Sequence, residues 1–259
     1  MLILLPPSEG KSSPKRGKAL DLGSLDAPEL TAARRRVVET LATLCAEDPA
    51  KAAEVLGLGP TQADLVTANA GLLSAPTARA DWIYSGVLYD ALGLATLEGP
   101  ARARATRWLA IMSSAFGVVR PGDRIPAYRL SGDTNVPGLG IISSYWRPHL
   151  DAVLTEAAGT GLVIDLRSGM YAGFWRPPTS IARKVATVRV LHEHRGTRKV
   201  VSHFNKATKG RIVRDLLVSG VAPRNPVALA AHLRDLGWSV EEAAPTKAGQ
   251  QLDVIVSEL

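Results

Sequence analysis

The chain carries one cysteine, Cys45, among 259 residues, so it cannot form an internal disulfide; with no export signal ahead of it, the cytoplasm is the expected location. No apolar run approaches the roughly 18 residues needed to span a bilayer, so no membrane segment is expected. The first residues, Met1-Leu2-Ile3-Leu4-Leu5-Pro6-Pro7, are apolar but too few for a signal peptide's hydrophobic region and lack a basic lead. They predict a buried first strand ended by its prolines. Familiar catalytic and metal-binding patterns are missing too: no Gly-x-Ser-x-Gly elbow, no His-Glu-x-x-His, no Cys-x-x-Cys and no Glu-x-x-His. His192-Glu193-His194 lies beside a predicted turn and reads as exposed hairpin histidines, so neither a metal nor a cofactor is expected.

What the chain does have is positive charge. It holds 31 Lys and Arg against 24 Asp and Glu, a net charge of +7, which favours nucleic acid or anionic surfaces as partners. Ten of the cations (Arg183, Lys184, Arg189, Arg195, Arg198, Lys199, Lys206, Lys209, Arg211, Arg214) fall between Arg183 and Arg214, where Glu193 is the one acid. The pattern there predicts a strand over Ala186 to Leu191, a turn at Arg195-Gly196-Thr197, a second strand over Lys199 to Phe204, and a helix opening after Asn205. Clustered cations repel one another unless something negative sits against them, and a helix N-terminus adds partial positive charge and N–H donors. Phe204, His203 and Asn205, interleaved with the cations, are side chains able to stack on bases or bond to them. A continuous basic trough for a polyanion is the expectation; a merely solvated charged face is the alternative.

The rest of the chain alternates helical and strand patterns without strict βαβ order. Amphipathic helices are predicted over Pro28 to Ala46, Pro49 to Leu56, Ser85 to Leu92, Pro100 to Trp108, Arg147 to Ala158, Ala207 to Val218 and Pro226 to Leu236. Buried strands are predicted at Trp108 to Met112 and Gly161 to Leu166, with a closing pair at Trp238 to Glu241 and Leu252 to Val256. The fold class is α+β, a mixed β-sheet flanked by helices. With no linker and no repeat, one domain over residues 1–259 is expected.

Three further segments bear on function. Gly57-Leu58-Gly59-Pro60, between two short helices, matches the hairpin of helix-hairpin-helix DNA-binding motifs and gives such an element near residues 49–70, its backbone N–H groups open to a phosphate; an ordinary helix end followed by a proline start is the plain alternative. Ser8-Glu9-Gly10-Lys11-Ser12 invites comparison with a P-loop but lacks the earlier glycine and the following helix. It leaves Glu9 and Lys11 as a polar cluster at a strand's carboxyl end, a common place for sites. Arg120 to Leu130 puts Arg120, Arg124, Arg129 and Tyr128 in a loop stiffened by prolines, which suggests function unless Arg120 pairs with Asp123 and Tyr128 is buried beneath the loop.

Six blocks in order, Met1 to Lys11, Tyr84 to Tyr89, Ser113 to Leu130, Tyr145-Trp146, Ile164 to Ser168 with Tyr171, and Phe204 to Arg211, resemble the YaaA family of bacterial peroxide-stress proteins. The resemblance implies a cytoplasmic protein with a positively charged cleft, a helix-hairpin-helix-like element, affinity for DNA, and a role in limiting damage from hydrogen peroxide and intracellular iron. Asp165-Leu166-Arg167-Ser168 departs from the Asn-Leu-Ala-Ser of many relatives and changes the charge in that cleft.

The expected function is therefore DNA binding, duplex or partly unpaired, in peroxide defence. Lys11, Arg120, Arg129, Lys206, Lys209, Arg211 and Arg214 are the expected phosphate contacts, Gly57 and Gly59 form the hairpin, and Tyr128 or Phe204 stacks on a base. The alternative is an enzyme acting on a nucleobase, nucleoside or nucleic-acid end, using Glu9 or Asp165 as acid or base, with Tyr171 and Lys206 beside them. A third reading, iron sequestration, predicts stoichiometric metal.

Overall fold

A computed structural model describes residues 1–257, with the side chain of Ser202 left out. Four consecutive apolar residues form the first strand, β1 (Leu2–Leu5), and all four are buried. A strand covered on both faces has no reason to alternate polar and apolar positions, and burying each such side chain contributes roughly 1.5–3 kcal/mol. β1 is an interior strand of the main sheet, paired on both sides. The other strands are β2 (Leu109–Ser113), β3 (Gly117–Val119), β4 (Val163–Asp165), β5 (Val185–His194), β6 (Thr197–Lys199), β7 (Ser239–Glu242) and β8 (Gln250–Val256). Their order is β7-β8-β5-β4-β1-β2-β3, with β6 added to β5. The β8-β5-β4-β1-β2 stretch is parallel, and β3, β6 and β7 pair antiparallel at its margins. The sheet is thus mixed, mostly parallel, and flanked by helices.

The principal helices are α1 (Thr31–Glu47), α2 (Pro49–Val55), α3 (Ala63–Ala70), α4 (Val87–Leu92), α5 (Gly99–Trp108), α6 (Ile142–Ala158), α7 (Ser202–Ser219) and α8 (Pro226–Asp235). Several start where a proline fits the first turn, as at Pro49 and Pro226, where Asp48 and Asn225 also cap by accepting from Lys51 N and Ala228 N. α6 starts five residues before the predicted Arg147 and carries Pro148 inside it. Of the consecutive arginines Arg34, Arg35 and Arg36 on α1, Arg34 is buried, its guanidinium donating to the carbonyls of Phe116, Val118 and Ala27, while Arg35 and Arg36 are exposed.

The basic hairpin also differs from the prediction. His194 faces Thr197 across a two-residue turn in which Arg195 (φ 49°) and Gly196 (φ 74°) are both left-handed, the tight geometry that matches strand twist. The second strand ends at Lys199, and Ser202, His203 and Phe204 belong to α7. The Asn205 N–H already bonds to the Val201 carbonyl at 2.8 Å, so helical pairing takes residues that the β-rich pattern assigned to a strand.

α7 is held in place by a close crossing with α4. At Gly210 a Cβ would run into the Leu88 carbonyl oxygen and lie 3.0 Å from Ala91 Cβ and Leu92 N. Glycine is required there by proximity, and this contact sets the middle of α7 directly against α4.

Candidate nucleotide-binding cleft

The connection from β1 leads to β2 on one side of it, while that from β4 leads to β5 on the other side. Between neighbouring parallel strands whose connections diverge, the loops at the carboxyl ends part and leave a crevice. Pro6 to Gly10 follow β1 and Leu166 to Tyr171 follow β4, and both segments line a cleft of about 690 Å³. Ser85 to Tyr89 and Ser131 contribute, and the first turns of α7 close it with Asn205, Lys206 and Lys209 beside Val200.

The β1 loop is tied down from beneath. Tyr89 donates from its hydroxyl to the Pro6 carbonyl at 2.6 Å, Ser8 Oγ accepts from the Ser85 N–H at 3.2 Å, and Lys11 Nζ donates to the Ser8 carbonyl at 2.7 Å. Lys11 also sits 4.3 Å above the centre of the Tyr128 ring. Burial, with the neighbouring Arg129 guanidinium adding repulsion, brings its ammonium pKa down to about 7. Glu9 is exposed and pairs loosely with Arg129, 3.9 Å away. Arg129 is in turn clamped by Asn69 of α3, which accepts from its N–H at 2.9 Å and donates to its carbonyl at 2.7 Å.

Across the cleft, Asp165 and Arg167 form a buried two-point ion pair, Nε to Oδ1 at 2.9 Å and Nη2 to Oδ2 at 2.7 Å. Lys209 Nζ donates to the Leu166 carbonyl at 2.9 Å; burial lowers its pKa, with Asp165 opposing. Tyr171 shares a 3.3 Å hydrogen bond with Ser114 Oγ, and burial raises the pKa of its phenol. Lys206 is exposed at the rim, where Met170 and Val200 are also exposed.

Glu9, Tyr171, Lys206 and Lys209 thus meet in one cleft, with Lys11 and the Asp165–Arg167 pair close by. Other predicted residues are used differently. Tyr128 is buried, its hydroxyl 2.8 Å from Ser113 Oγ and 3.1 Å from the Tyr84 hydroxyl, so its ring is not presented to a base. Arg120 extends to Asp26 (3.0 Å) and the Leu109 carbonyl (3.0 Å), while Asp123 accepts from its backbone N–H. Arg214 donates to the carbonyls of Leu92 and Gly93 at the end of α4. Arg189 pairs with Asp253, and Arg198 with Glu193 and Glu241. The continuous trough is therefore broken: Arg189 and Arg198 of the strands find acids, and the cleft holds lysines of α7. Arg211 is exposed on α7 outside the lining.

Phe204 is 37% exposed and packs against His192 at 5.3 Å between ring centres. Contrary to the reading as an exposed hairpin residue, His192 is buried, and neither ring nitrogen finds a partner among the described residues. No cluster of three or more metal-ligating side chains occurs among the described residues.

Gly57 adopts a left-handed φ of 63°, and the Gly59 N–H is taken by Gln62 Oε1 at 3.2 Å. Two helices flank this turn, but residues 49–70 supply nothing to the cleft lining. A helix-hairpin-helix DNA-binding element is not established by this arrangement.

Fold and site together define a mixed α/β protein with a lysine-bearing crevice at the switch point of its parallel sheet. Residues 1–244 match the family described as "Peroxide stress protein YaaA", and the chain belongs to that family. It is 54% identical to a UPF0246 protein of Streptomyces coelicolor over the whole of both chains. A UPF0246 protein of Corynebacterium efficiens is 44% identical over 93% of this chain and 95% of its own length. One of Corynebacterium glutamicum is 40% identical over the same shares. Membership supports a role in the peroxide stress response.

Proposed function

We propose that the chain acts in the peroxide stress response by binding DNA, holding one nucleotide of an unpaired strand or strand end in the cleft between β1 and β4. The observation that carries this reading is the meeting of Lys206 and Lys209 with Asn205 and the exposed Met170 and Val200 around a space of about 690 Å³. That volume is of the size that encloses a small ligand. The apolar rim suits a base and the ammonium groups suit phosphate, and α7 brings its positive dipole end to the same place. The net charge of +7 adds long-range attraction for a polyanion. Competition between single-stranded and duplex DNA of equal length tests the reading: the unpaired strand should bind more tightly. Equal affinity for blunt duplex would move the contact surface away from the cleft.

A second reading, an enzyme acting on a nucleobase, nucleoside or nucleic-acid end, is favoured by the shifted pKa values of Tyr171 and Lys209 on one wall. Glu9 stands on the opposite loop as an exposed carboxylate, whereas Asp165 is engaged by Arg167. Product analysis on nucleosides and damaged oligonucleotides separates the two: turnover abolished by Tyr171→Phe supports the enzyme.

A further inference from the structure

Asn205 lines the cleft one turn into α7, and its Oδ1 is buried with no hydrogen-bond partner among the described residues. A buried amide oxygen left unpaired costs stability, roughly 1–3 kcal/mol, so such a group inside a binding cleft points to a partner that arrives from outside. Its surroundings narrow the partner's chemistry. An amide oxygen only accepts, so the incoming group must be a donor. Lys206 and Lys209 beside it repel a cationic amine, which leaves a neutral N–H or O–H donor. Met170 and Val200 at the mouth present exposed apolar surface to a flat, weakly polar body.

We infer that Asn205 is a specificity-determining residue that accepts a hydrogen bond from the exocyclic amino group of an adenine or cytosine held in the cleft. The inference rests on the DNA-binding reading above and adds to it a base preference. Phosphate contacts through the lysines carry affinity without sequence information, whereas an acceptor placed at the 6-amino group of adenine or the 4-amino group of cytosine would face a carbonyl oxygen in the corresponding oxo base. Adenine is thereby favoured over hypoxanthine and cytosine over uracil, each pair being nearly identical in shape and differing in that edge.

The test uses the full chain with fluorescent single-stranded oligonucleotides of one length, differing only by adenine against hypoxanthine, and by cytosine against uracil. The amino bases should bind about five-fold more tightly, as expected for one hydrogen bond, and Asn205→Ala should bring both members of each pair to one affinity while leaving the salt dependence unchanged. Equal affinities in the parent protein, or an oxo-base preference, overturn the inference and leave DNA binding standing. No binding to any oligonucleotide overturns the underlying reading as well. Asn205 is half-buried in the first turns of α7, and an unchanged circular dichroism spectrum would show that the Asn205→Ala variant is folded.

Discussion

Arg167 folds back onto Asp165 two residues earlier, and its guanidinium, with a side chain 1% exposed, makes two hydrogen bonds to that carboxylate. The pair closes the carboxyl end of β4 directly under the cleft. A charge held this deep is tolerable only while its partner is present. Asp165→Asn should therefore destabilise the protein by roughly 3 kcal/mol or more, measured by urea denaturation. A loss under about 1 kcal/mol would mean that water or another acid already solvates Arg167.

Lys11 gives a pH dependence whose sign is set by its folded-state pKa of about 7 against the ordinary 10.5. Between those values the unfolded chain binds the proton and the folded chain releases it, so stability from this residue rises with pH above 7. Lys11→Met should remove that gain, about 2 kcal/mol between pH 7 and 9. A variant whose stability rises with pH as steeply as the parent's would show that Lys11 stays charged in the folded protein.

Much of this architecture is visible in the chain, and the exceptions have physical causes. β1 is legible because an apolar run ended by Pro6 and Pro7 has few other uses, and the segment around Ile164 is legible for the same reason. The closing pair of strands is found where alternation predicts it. Pairings across the sheet are not legible: Asp253 lies 64 positions from Arg189, and no local pattern shows that Arg189 and Arg198 meet acids of β8 and β7. Tyr128 misleads because a loop residue with a hydroxyl looks available until Ser113 and Tyr84 are brought to it. Lys209 and Tyr171 could be nominated from sequence, but their shared cleft depends on β4 lying beside β1, a fact of topology. Asn205 is legible for its chemistry; that its Oδ1 has no partner among the described residues is a three-dimensional property.

Gly210 makes the α4–α7 crossing possible. Gly210→Ala should cost about 1–3 kcal/mol by overpacking and, by pushing α7 away from α4 one turn beyond Lys206, weaken whatever binds at Lys206. Thermal melts together with oligonucleotide titration check both effects. Unchanged stability would show that the helices separate freely at this point.

Tyr128→Phe should lose about 1 kcal/mol through its bonds to Ser113 and Tyr84 and leave nucleic-acid affinity unaltered, because the ring is buried. A large fall in affinity without loss of stability would return Tyr128 to the binding surface.

The most direct test of the account is the affinity for single-stranded DNA as a function of salt, for the parent protein and for Lys206→Ala with Arg211→Ala. Each phosphate contact should add about −0.7 to the log–log slope, and the double variant should weaken binding to all sequences alike while making that slope shallower by one to two contacts. A salt-independent affinity, or a double variant that titrates like its parent, would contradict it.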